Sequence, residues 1–211
     1  MSTRRTWLVL ICILAGLVCY YLPWYTHITA GFTMHAFDLA EWSSLHPAVR
    51  SESPELWTSL LLRLPQVALL AGLVLVTNGL RDARMRWLWR AIAVLFALRL
   101  LPPTDFFSGA SQDPNYRQMM LLSAVAVGLM GGALLLYRLP AKWQMTTLAG
   151  VLLAGLLAGW MGLSRTQTLL DNFAIDVQLG PGIWGLSAVS VAAIVLLLWP
   201  LRQVLGATTE A

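Results

Sequence analysis

Apolar residues gather in six runs along the chain, at 7–22, 56–77, 87–101, 118–137, 145–163 and 183–198. A run near ~20 apolar residues predicts a helix that crosses a bilayer. Helix-stopping signals bound most of them. Pro23-Trp24 closes the first, Asn78-Gly79 the second and Pro102-Pro103 the third. Glycine suits a helix C-terminus, and proline cannot continue a helix. The turn before the fourth run holds Asp105, Asp113-Pro114 and Asn115, and Trp199-Pro200 follows the sixth. The third run is brief and ends in Arg99, which makes it the weakest candidate for a full span. The pattern predicts an all-α integral membrane protein, a bundle of six transmembrane helices in one polytopic domain.

The polar interruptions are unequal. The first, residues 23–55, is the longest and holds all three histidines and four of the ten acidic residues. Within it, Phe37 to Leu45 reads as a short amphipathic helix, with apolar Phe37, Trp42 and Leu45 among Asp38, Glu41, Ser43 and Ser44. The expectation is an interfacial helix lying on the outer membrane surface and docking through those three apolar residues. A second outer loop is expected over 164–182.

Composition supports the membrane reading. The chain of 211 residues is 58% hydrophobic and 11% charged, with mean hydropathy +0.68, whereas soluble domains carry roughly 25% charged residues. The net charge of +4 is spread over short loops, with no basic run or face, so nucleic acid is not an expected partner. Arg4-Arg5 before an apolar run resembles the start of a secretory signal, but Cys19 to Trp24 offers no small-residue cleavage site. An uncleaved first helix is expected. Cys12 and Cys19 lie about 10 Å apart along a helix axis, too far for a disulfide, and read as buried thiols.

Charge sets the expected orientation. Nine of the 14 basic residues (Arg4, Arg5, Arg81, Arg84, Arg86, Arg90, Arg138, Lys142 and Arg202) fall on one side of the six-span map, and eight of the ten acids on the other. The positive-inside rule then places both termini in the cytoplasm of a bacterial inner (plasma) membrane protein. The ten tryptophans alternate as two interfacial belts, with Trp24, Trp42, Trp57, Trp160 and Trp184 outside.

Two further patterns bear on packing and chemistry. Ala124, Gly128 and Gly132 recur every four residues, as do Gly155 and Gly159. Such spacing lets helix backbones approach closely in lipid, so the fourth and fifth spans are expected to form an antiparallel pair along this seam. No span holds a carboxylate or a histidine, which argues against an autonomous ion-coupled transporter. The sequence has no His-Glu-x-x-His and no Gly-x-Ser-x-Gly. His35 and His46, on one helix, would stand about 16 Å apart along its axis, so His27, His35 and His46 make only a weak metal candidate. The arginines are sharper. Arg63 lies two turns inside the second span, Arg99 at the outer end of the third, and Arg117 and Arg165 at the outer ends of others. Either they pair with Glu55, Asp105, Asp171 or Asp176, or they form an outer-interface site for an anionic head group.

Three functions follow as expectations. The leading one is a non-catalytic accessory or scaffolding subunit, embedded in the lipid bilayer and docking on other membrane subunits through its outer loop. The alternative is a protein that binds a lipid, quinone or pigment at the outer interface; the sequence specifies no cofactor. An enzyme would rest on His27, His35, Asp38, Glu41 and His46 alone.

Overall fold

The computed structural model describes residues 3–27, 33–173 and 175–207, with side chains up to residue 199. It is mostly helical. Five helices are long and apolar enough to cross a membrane, within Thr3–Tyr20, Trp57–Thr77, Pro114–Arg138, Ala141–Asn172 and Pro181–Trp199. In chain order, α1 is Thr3–Tyr20, α2 Ala36–Leu45, α3 Pro47–Arg50, α4 Trp57–Thr77 and α5 Ala83–Leu98. There follow α6 at Asp105–Ser108, α7 at Pro114–Leu135, α8 at Ala141–Asn172 and α9 at Pro181–Ala207.

α4 is the hub. It is apolar on every side, as a helix must be when others surround it. Its apolar window is 83% buried, against 33–50% for α1, α7, α8 and α9. Packed around it are α8, α7, α1 and α5, and α1 in turn packs on α9. The centre of the core is α4 itself, with Leu62, Leu70 and Leu73 fully buried beside Leu10 and Ile13 of α1.

The third apolar run departs from the six-span expectation. Asp82 caps α5, accepting from the Arg84 N–H at 2.8 Å, so the helix begins four residues earlier than the apolar pattern suggests and stops at Leu98. Its 16 residues rise about 24 Å, short of the ~30 Å hydrocarbon layer. α5 still returns the chain to the end from which α4 starts. It is tied to the far end of α4, where Arg90 donates to Thr77 Oγ1 at 3.1 Å and Asn78 Oδ1 at 2.9 Å. Asn78 in turn donates to the Ala133 carbonyl of α7.

The expected antiparallel pairing of the two glycine-spaced helices is corrected. Gly155 and Gly159 of α8 face α4, not α7. A Cβ at Gly155 would stand 2.5 Å from that of Ala68, and one at Gly159 3.0 Å from the Trp24 ring. Ala124, Gly128 and Gly132 lie on an exposed face of α7, and a Cβ at either glycine would meet nothing within 4 Å. Both helices pack on α4 and are splayed over it, because α4 offers a continuous apolar surface to each. α8 also runs nine residues past the expected span end at 163. The face that buries Gly155, Gly159 and Gly162 continues through Thr166 and Leu170, so packing carries the helix through its polar final turns.

The two long loops meet in a small cap. Strands β1 (Pro23–Thr26), β2 (Thr33–His35) and β3 (Gln178–Leu179) form an antiparallel sheet in the order β2-β1-β3. Tyr25 pairs with Met34 on one side and Leu179 on the other. The second loop passes so close that glycine is required: a Cβ on Gly180 would strike the Pro23 carbonyl, and one on Gly182 would come within 2.5 Å of the Leu22 carbonyl and the Trp24 ring. Trp24, expected in an interfacial belt, is instead wholly buried and donates to the Cys19 carbonyl at 3.2 Å. Cys12 and Cys19 are free and half-buried.

Candidate functional site

The cap sits on the bundle through polar side chains on α2, α4 and α7. Arg63 of α4 is 0% exposed, and its guanidinium pairs with Glu41 of α2, whose side chain is 36% exposed. The same guanidinium donates to Gln118 Oε1 and Asn115 Oδ1 of α7, both at 2.8 Å. Asn115 donates onward to the other Glu41 oxygen at 3.1 Å, and Gln118 to the Leu56 carbonyl at 3.0 Å. Three elements that are distant in sequence thus share one half-buried ion pair. Burying a guanidinium in an apolar bundle is costly unless it is paired and hydrogen-bonded; here only Nε lacks a partner. Leu56, at the junction, is in the left-handed region with φ 56°. That costs a non-glycine residue about 1–2 kcal/mol. Its buried side chain and the bond from its N–H to the Val49 carbonyl hold it there.

Two further pairs surround this latch. Arg50 at the end of α3 meets Asp113, the N-cap of α7, at 3.0 Å. Arg165 of α8 meets Glu52 at 2.7 Å, and the same carboxylate accepts from the Thr58 N–H at 2.8 Å and hydroxyl at 2.6 Å. Burial alone would raise the Glu52 pKa, but the Arg165 and Thr58 hydrogen bonds outweigh it and hold the carboxyl below its ordinary value. Glu41, Asp113 and Glu52 therefore take the places expected for Glu55, Asp105, Asp171 and Asp176. Among the described residues none of those four lies within 4.0 Å of a basic side chain.

The four arginines of the expected anionic site do not converge on one pocket. Arg63 is buried and neutralised, and Arg165 is paired at the surface. Arg117 is exposed on α7. Arg99 is exposed at the end of α5, its guanidinium 5.9 Å from the Tyr21 ring centre and 5.5 Å from that of Phe37.

Two of the three histidines cap helices. His35 is the N-cap of α2: its Nδ1 accepts from the Asp38 N–H, and Nε2 lies 3.2 Å from the Asp38 carboxylate. His46 is the N-cap of α3 through the Ala48 N–H. His27 lies at the end of β1, apart from both. Among the described residues no three metal-ligating side chains come together.

The face of α2 that packs on the bundle also differs from expectation. Leu39, Ala40, Ser43 and Ser44 are buried, and Ser59 of α4 donates to the Ala40 carbonyl at 2.9 Å. Phe37 and Trp42 are half-buried at the flanks, and Leu45 points away with 69% exposure. Small residues let α2 approach α4 closely, which leaves the larger side chains outside the contact. Trp42 and His46 group with Phe173, just beyond α8, with ring centres 5.4–6.4 Å apart. Phe173 is 54% exposed, and no sequence signal placed it near α2, because the two are more than 120 residues apart. The chain matches no family model, and neither a curated protein nor a solved structure shows significant similarity to it.

Proposed function

We propose that the chain is a non-catalytic, multi-pass membrane subunit that docks on a partner protein through its capped end. The observation that carries this reading is the aromatic group of Trp42, His46 and Phe173, with exposed Leu45 next to His46 in the chain. α8 has 32 residues, about 48 Å of helix, against a ~30 Å hydrocarbon layer. Its last turns, from Ser164 onward, are polar. On this reading Phe173 and Leu45 lie beyond the apolar part of α8, and exposed large apolar side chains outside the lipid are the usual mark of a protein contact. The latched, stapled cap gives the patch a fixed shape, so binding orders little chain.

Charge supports an orientation with the capped end outside and both termini cytoplasmic in a bacterial plasma membrane. The distinguishing experiment is purification from the native membrane in mild detergent. Wild type is expected to elute with a partner at fixed stoichiometry, and the double variant L45E/F173E to elute alone with unchanged helix content. A wild-type protein that elutes alone sinks the reading.

A further inference from the structure

We propose that Arg99 and Tyr21 seat a phosphate group at the capped end of the bundle, on the side of α1 and α5. This stands apart from the docking patch, which lies on α2 and α8. Arg50, Arg63 and Arg165 each meet a carboxylate. Arg99 meets none within 4.0 Å among the described residues.

The cation is nevertheless held in place. It stacks over Tyr21 and Phe37, and Tyr21 packs edge-on against His35 at 5.6 Å. Stacking on aromatic faces fixes a guanidinium while leaving its N–H edge free, the arrangement that recognises a phosphate with two parallel hydrogen bonds. Beside it lie two buried polar atoms with no hydrogen-bond partner, the Tyr21 hydroxyl and the Gln66 amide oxygen. Gln66 is fully buried, and its NH2 bonds the Phe96 carbonyl at 3.1 Å, which fixes the last turn of α5 against α4. A phosphate oxygen would accept from the exposed N–H edge of Arg99, with the Tyr21 ring beneath the guanidinium.

The side of α5 that leads to this place exposes Val94, Leu95 and Leu98. In a bilayer, acyl chains lie along such a surface, so a phospholipid is the favoured source. Free phosphate shares the recognition chemistry. The test uses the full chain, delipidated in an uncharged detergent, titrated separately with dioleoylphosphatidylglycerol and with sodium phosphate and read by native mass spectrometry and thermal shift.

One lipid per wild-type chain is expected. R99Q should weaken that binding about tenfold, the scale of losing one charge-assisted hydrogen-bonded contact. R99K should fall between, since it keeps the charge and loses the fork. Y21F, which keeps the ring under the guanidinium, should bind as wild type does, and R117Q should show no loss. Stabilisation by sodium phosphate that R99Q abolishes, without lipid retention, would uphold the seat and name free phosphate as its source. Equal binding by R99Q and wild type, or equal losses in R99Q and R117Q, would overturn it. Arg99 is exposed, so circular dichroism of R99Q should match wild type; should it not, R99K carries the comparison.

Discussion

Glu41 and Arg63 are joined, yet their deletions are not equivalent. Glu41→Ala leaves a fully buried guanidinium without its counter-charge, a loss of about 3–5 kcal/mol. Arg63→Ala leaves a carboxylate whose side chain is 36% exposed and can hydrate. E41A should therefore lower the thermal midpoint in detergent more than R63A; the reverse order would show that the pair is not what holds α2 down. Glu52 offers a pH test. Its folded pKa lies below the ordinary value, so its contribution is present above the unfolded value of about 4.3. It is lost as pH falls through the lower folded value. The difference in melting temperature between wild type and E52Q should hold near neutrality and shrink below about pH 4.

Among the helices, glycine separates contact from solvent or lipid. Gly155→Leu forces side-chain atoms into Ala68 and the backbone at Pro65 and should cost about 1–3 kcal/mol, the range for overpacking. Gly132→Ala adds a Cβ that meets nothing within 4 Å and should leave the melting curve in place, whereas Gly155→Ala already brings a Cβ to 2.5 Å from that of Ala68. Equal effects would restore the pairing expected between the two glycine-spaced helices. The spacing of small residues was legible in the sequence, but its partner was not. Periodicity identifies a face, whereas α4 became the partner because it is apolar all round. The spans over 56–77 and 118–137 were visible within a few residues, since length and hydropathy decide them. The end of α8 was hidden, because polar residues at 164–172 are held helical by tertiary packing at Thr166 and Leu170. Arg63 was recognisable as an anomaly at depth. Its partners lie 22, 52 and 55 residues away, a distance that local pattern does not encode. The three short strands carry no alternation long enough to read.

At the scale of the whole molecule, ion pairs tie cap to bundle at three places, from α2 to α4, from α3 to α7 and from the first loop to α8. Orientation is testable here. In a background lacking Cys12 and Cys19, a cysteine at Ser51, exposed on the cap, should react with a membrane-impermeant maleimide in intact cells. One at Arg84, exposed near the opposite end, should react only after lysis. Labelling in the opposite order would invert the topology and place the docking patch in the cytoplasm.

The sheet that joins the loops also sets a schedule for synthesis. β1 emerges from the ribosome near the start of the chain, yet one of its edges is closed only by Gln178 and Leu179, and α1, which packs on α4 early, finds its larger neighbour only in α9. Until the last helix is threaded, Tyr25 and Thr26 keep an open hydrogen-bonding edge, the kind that recruits foreign strands. A chain that stalls before residue 178 carries that edge as a mark of incompleteness, readable by any protease or chaperone that recognises unpaired backbone.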